Sequence, residues 1–93
     1  MASHVDMREV TINLRGHLQE LLVAKKMELK RIRTLMEKIA GLYKFFSRDP
    51  NDLVALSDAV NKMIGEETYE HRDITLSPHV KDACIKILEE LTE

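Results

Sequence analysis

The chain has 93 residues, of which 44% are hydrophobic and 32% charged, and a formal net charge of −2 at pH 7. This length predicts one small domain. Three glycines and two prolines are too few turn residues for a protein built from many hairpins, so helices are favoured. The sequence contains no run of about 18 apolar residues, so no membrane span is predicted. Its start lacks the charged-then-apolar order of a signal peptide.

Two local features bear on where the protein works. Cys84 is the only cysteine and lies in an apolar stretch, which predicts a buried thiol and an intracellular protein, cytoplasmic or nuclear. Residues 1–6 precede a second methionine, Met7, and are interpreted as a cloning remnant or a disordered N-terminus. Residues 7–93 are then a single helical domain, which we interpret as excised from a longer protein.

An apolar stripe dominates the first half of the chain. Its positions alternate four and three residues apart on one helix face, with Lys25 as the only polar one, and its apolar members are Leu18, Leu22, Leu29, Ile32, Met36, Ile39, Tyr43 and Phe46. Four leucines widen this face: Leu14, Leu21, Leu35 and Leu42. The width favours a bundle over a coiled coil. The stripe predicts one helix over about 7–47, about 60 Å long, with Gly16 and Gly41 as the points where a kink is expected.

Two shorter helices are predicted to follow. Asp49-Pro50 and Ser77-Pro78 each place a capping residue before a proline, which suits the first position of a helix. These signals predict helices over about 50–64 and 78–92, joined by a polar, acidic loop. The predicted fold is all-α, an antiparallel three-helix bundle with one long N-terminal helix and two shorter helices. Because each short helix is only about 21–24 Å long, the long helix is left partly uncovered and a homodimer is predicted.

Charge is divided unevenly along the chain. Residues 1–48 hold ten Lys and Arg against five Asp and Glu, and residues 49–93 hold four against eleven. Lys26, Lys30 and Arg33 share one face of the predicted long helix and are candidates for binding a partner. The same face is typical of phosphate binding. Carboxylates interrupt it and no aromatic side chain is interleaved, so nucleic acid is the less favoured ligand.

No motif for catalysis, a cofactor or a metal is found: the sequence lacks a Gly-rich phosphate loop, Gly-x-Ser-x-Gly, Cys-x-x-Cys and His-Glu-x-x-His. We therefore expect a non-enzymatic protein–protein interaction module that needs no cofactor and no metal and whose partner is another protein or a second copy. The residues predicted to bind the partner are Lys26, Lys30, Arg33, Leu18, Leu22, Phe45 and Phe46.

An enzyme is the alternative. One long helix followed by two shorter ones is similar in architecture to the helical chorismate mutases, which are intertwined dimers. That resemblance implies cationic side chains converging on a dicarboxylate. Lys25 is the only charge on the stripe, and Arg15 lies upstream of it. A catalytic bundle needs more polar residues on its inner face, and fold analogy alone does not supply a function.

Overall fold

A computed structural model describes residues 5–46 and 49–92. Within these residues the elements are α1 (Met7–Val23), β1 (Lys26–Glu28), α2 (Leu29–Tyr43), α3 (Asn51–Ile64), β2 (Asp73–Thr75) and α4 (Pro78–Leu91). β1 and β2 pair antiparallel, with Met27 opposite Ile74. The domain is therefore mostly helical, with four helices and a small two-stranded sheet, and the predicted three-helix bundle is wrong.

The three clearest helix starts follow from local capping chemistry. The Ser77 hydroxyl accepts a hydrogen bond from the Val80 amide at 3.3 Å, and the Asp49 carboxylate accepts one from the Asn51 amide at 2.9 Å. At the start of α1, Asp6 accepts a hydrogen bond from an amide in the first turn at 3.0 Å. Each side chain satisfies an amide that has no partner within its helix. Residues 1–4 of the expected cloning remnant, and position 47, lie outside the described residues.

The long helix predicted over 7–47 is in fact two helices. The chain leaves the helical conformation at Ala24, with φ −72° and ψ 134°, and re-enters it at Leu29. Gly16 and Gly41, the expected kink points, both lie inside regular helix. Their cost in helix propensity, about 1 kcal/mol each relative to alanine, is therefore tolerated, and the break has another cause.

Contacts from the second half of the chain stabilise the break. The Lys81 ammonium in α4 donates hydrogen bonds to the carbonyl oxygens of Leu22 and Ala24, the latter at 2.8 Å. These are carbonyl groups that a helix leaves unpaired at its C-terminus. The first two amides of α2 donate to the carbonyl oxygens of Glu70 and Arg72, each at 2.9 Å. Long-range partners thus replace the helical hydrogen bonds that are lost between α1 and α2.

The break lets the chain bury its own apolar stripe. α1 and α2 lie antiparallel, so that Glu20 and Arg31, eleven residues apart, form an ion pair at 2.7 Å. The fully buried core side chains are Leu14, Leu18, Leu21, Leu29, Ile32, Leu35 and Ile39 from α1 and α2, and Leu56, Val80, Cys84 and Ile87 from α3 and α4. The mismatch in helix length, on which the homodimer prediction was based, therefore does not arise.

Candidate partner-binding surfaces

The three basic residues predicted to bind a partner lie on two elements and not on one helix face. Lys26 belongs to β1, and Lys30 and Arg33 lie near the start of α2. All three side chains are exposed, and none forms an ion pair with another described residue. We call these three residues the basic edge. Their positive charges remain available to an acidic partner.

The acidic loop between α3 and β2 lies beside the basic edge. His71 Nδ1 is 3.4 Å from a carboxylate oxygen of Glu28. Within the loop, Glu67 accepts hydrogen bonds from the Tyr69 amide at 3.3 Å and from Arg72 Nε at 3.1 Å. The pKa of Glu67 is held below its ordinary value. The hydrogen bond from the Tyr69 amide has the largest effect, and the Thr68 amide and Arg72 add to it. The two oppositely charged halves of the chain thus meet within the molecule.

The apolar residues predicted to bind a partner differ in exposure. Leu18 is 0% exposed, so it is a core residue and presents no surface. Leu22 is half-buried. Phe45 is 41% exposed, with the Lys44 ammonium 5.6 Å from its ring centroid. Phe46 is half-buried against the core. Leu22 and the two phenylalanines lie apart, near the C-termini of α1 and α2 respectively, so they do not form one site.

The two most exposed large apolar side chains of the described residues lie on α1, which packs beside α4. Between the two helices lies a groove of about 260 Å³, lined by Arg15, Gln19, Leu22, Ile85, Leu88, Glu89 and Thr92. Ile12 and Val23 are 69% and 79% exposed. Gln19 lies seven residues after Ile12 and four before Val23, which places all three on one side of α1. We call the surface formed by Ile12, Leu22, Val23, Ile85 and Leu88 the α1/α4 face.

The sequence prediction missed Ile12, Val23 and Ile85. The stripe assigned one face of α1 to the core, and these residues lie off it. A signal was present, since the spacing of eleven residues between Ile12 and Val23 corresponds to three helical turns. That spacing shows that both residues point the same way, but only the packing of α4 shows that their side of α1 stays uncovered.

Most groups with a shifted pKa join one element to another. Arg31, through its hydrogen bond to Glu20, lowers the pKa of that carboxyl and links α1 to α2. Asp52 of α3 is 8% exposed and lies 3.2 Å from the Lys86 ammonium of α4. A hydrogen bond with the Glu90 side chain, together with Lys86, holds the pKa of Asp52 below its ordinary value. These ionisable groups contribute to helix packing.

Two further hollows lie between helices. One, of about 410 Å³, is lined by Arg33, Met36, Glu37, Val60, Asn61, Ile64 and Gly65. The other, of about 380 Å³, is lined by Ala55, Asp58, Ala59, Lys62, Met63, Ser77 and His79. Their large apolar side chains are buried or half-buried. Neither hollow is therefore lined by a large apolar side chain as exposed as Ile12 or Val23.

Cys84 is a buried small apolar residue, as predicted. Burial raises the pKa of its thiol to about 12, so the reactive thiolate is scarce near neutral pH. We expect the folded protein to react with Ellman's reagent at least about a hundredfold more slowly than the chain unfolded in guanidinium. Complete labelling of the folded protein at the rate of the unfolded chain would contradict the burial.

Comparisons with known proteins were made on the whole chain. Family models, curated proteins and solved structures gave no significant match. In the described part of the chain, no helix has both the length and the apolar character needed to cross a membrane. No cluster of three or more His, Cys, Asp and Glu side chains among those residues is placed to hold a metal ion. The function of the chain is therefore inferred from its surfaces.

Proposed function

We propose that this chain is a non-enzymatic protein–protein interaction module that binds its partner through the α1/α4 face. The observation that supports the proposal is the exposure of large apolar side chains there, above all Ile12 and Val23 at 69% and 79%. Contiguous apolar patches on a protein surface commonly mark interaction sites. Burying one such side chain in an interface contributes about 1.5–3 kcal/mol, so a partner that covers this face gains affinity.

The basic edge has a supporting role in this proposal. Exposed charges increase the rate of association with an oppositely charged partner more than they increase affinity. Lys26, Lys30 and Arg33 have no carboxylate partner among the described residues. They therefore favour a partner whose surface is acidic, while the α1/α4 face supplies the apolar contact.

Phosphate or nucleic-acid binding through the basic edge is the second candidate function, and the same unpaired cations support it. Such binding weakens steeply as salt is added, whereas contact through an apolar face does not. The mutase alternative has less support. Lys25 is exposed after the end of α1, and Arg15 lines the α1/α4 groove, so these two cations do not converge on one cavity.

A matched pair of variants tests the proposed function. Tagged wild-type chain, Val23→Asp and Val54→Asp are used to capture proteins from a lysate of the source cells. Val54 is 52% exposed but lies on α3, so Val54→Asp introduces the same charge on a different surface. We expect the wild type and Val54→Asp to retain the same specific partner, and Val23→Asp to lose it, by about tenfold or more.

Two results would contradict this proposal. One is equal retention of every captured protein by all three chains. The other is a partner whose binding is unaffected by Val23→Asp but is abolished when 0.1 M salt is raised to about 0.5 M, which would favour the basic edge and a phosphate-bearing ligand.

A further inference from the structure

We infer that the occupant of the α1/α4 face is a second copy of this chain, bound in a two-fold symmetric dimer. The inference rests on the proposed function, because it names the partner for the same surface. It is argued from the positions of two unpaired charges, Arg15 on the α1 wall of the groove and Glu89 on the α4 wall. Neither forms an ion pair with another described residue.

α1 and α4 run antiparallel, which fixes where these charges lie. Lys81, near the start of α4, binds the carbonyl oxygens of Leu22 and Ala24 at the end of α1. Arg15 lies about 10 Å before Leu22 along α1, and Glu89 lies about 12 Å after Lys81 along α4, given the helical rise per residue. Arg15 and Glu89 are therefore at the same level of the groove, on opposite walls.

A two-fold axis parallel to both helices, running along the groove, makes this face complementary to itself. The rotation places α1 of each copy over α4 of the other. It leaves the position of each residue along the helix axis unchanged. The side chain of Arg15 then faces Glu89 of the other copy, and this contact occurs twice, as in any isologous interface. Ile85 lies four residues after Lys81, about one helical turn from the position of Leu22 along the groove, so the apolar side chains of the two copies lie within a turn of each other beside the charge pairs.

A stable dimer sets a minimum area for the interface. A specific interface takes about 800 Å² from each partner, which is about an eighth of the chain's accessible surface of 6247 Å². On α1 the face extends from Ile12 to Val23, about 16.5 Å along the helix, and on α4 it includes Ile85 and Leu88. An interface of that size therefore extends beyond these side chains onto the polar residues around them, which form the rim.

Sedimentation equilibrium of the purified chain, from micromolar to about 1 mM, tests the inference through a charge exchange. We expect the wild type to form a dimer. Arg15→Glu places like charges opposite each other twice and weakens dimerisation by at least about tenfold. Arg15→Glu combined with Glu89→Arg restores the opposite charges and the wild-type dimer. Arg15 is half-buried and Glu89 is exposed, and circular dichroism checks that each variant is folded.

Three results would overturn the second copy as occupant: a wild type that stays monomeric at every concentration, an Arg15→Glu variant that dimerises as the wild type does, or a double variant that stays as weak as Arg15→Glu. Val23→Asp provides an independent check, because it weakens the same dimer without altering the charge pair. The wild type could be monomeric while Val23→Asp still abolishes capture of a partner. That pair of results would support the proposed function, with a different protein as the partner.

Discussion

Replacing Leu18 by alanine is expected to lower the free energy of unfolding by about 3 to 5 kcal/mol. Leu18 is 0% exposed and belongs to the core cluster shared by the helices. Its removal forfeits buried apolar contact and leaves a cavity that close-packed neighbours fill only partly. A domain of this size has about 5 to 14 kcal/mol of stability in total, so urea denaturation measures the change readily.

Leu22→Ala is the matched control, since the same substitution is made one helical turn further along α1. Leu22 is half-buried and lines the α1/α4 groove, so we expect a loss below about 2 kcal/mol, together with weaker partner binding. A loss of less than about 1 kcal/mol for Leu18→Ala would mean that Leu18 lies at a surface, as its assignment to partner binding assumed.

Replacing Lys81 by methionine is expected to lower the free energy of unfolding by about 1.5 to 3 kcal/mol, the range for a hydrogen bond to a charged group. The methionine keeps most of the aliphatic stem but no longer donates to the carbonyl oxygens of Leu22 and Ala24. Those carbonyl groups then lose their protein partner at the end of α1. The variant therefore weakens the break between α1 and α2 at its C-terminal cap.

Lys62→Met controls for the loss of a positive charge, because Lys62 is exposed on α3 and forms no ion pair with another described residue. We expect it to change stability by less than about 0.5 kcal/mol. Amide hydrogen exchange should also accelerate in β1 and β2 of Lys81→Met, since Leu76 donates to the Lys25 carbonyl oxygen just beyond them. Equal stability of the two variants would show that Lys81 does not stabilise the break.

The parts of the fold that local chemistry determines could be predicted from the sequence. α3 and α4 begin within one residue of the positions that Asp49-Pro50 and Ser77-Pro78 indicate, because a capping side chain and a proline act on their own turn. Gly65 ends α3 with a positive φ of 61°, as a residue without a side chain allows.

The break in the first helix could not be predicted in this way. The apolar period continues across it, because Leu22 and Leu29 each satisfy the stripe whether or not the residues between them are helical. The contacts that favour the break come from Lys81, Glu70 and Arg72, more than forty residues later in the chain. The two strands have three residues each, too short to show an alternating pattern.

The candidate surfaces were predictable only in part. The exposure of Lys26, Lys30 and Arg33 follows from their charge. They do not share one helix face, because the break places Lys26 in β1 and the other two in α2. The α1/α4 face depends on which side of α1 the fourth helix covers. Isoleucine and valine are ordinarily buried, and the spacing of Ile12 and Val23 places them on one side of α1 without showing that this side is exposed.

The central claim is that the chain reverses between α1 and α2 and covers its own stripe, leaving the α1/α4 face for a partner. A spin-label distance between Arg8→Cys and Lys44→Cys tests it most directly, with excess unlabelled chain to suppress distances between copies. Cys84 is buried and should not take up label. We predict a separation shorter than the 42 Å longest dimension of the protein. A separation of about 54 Å, that of one continuous helix, would contradict the account.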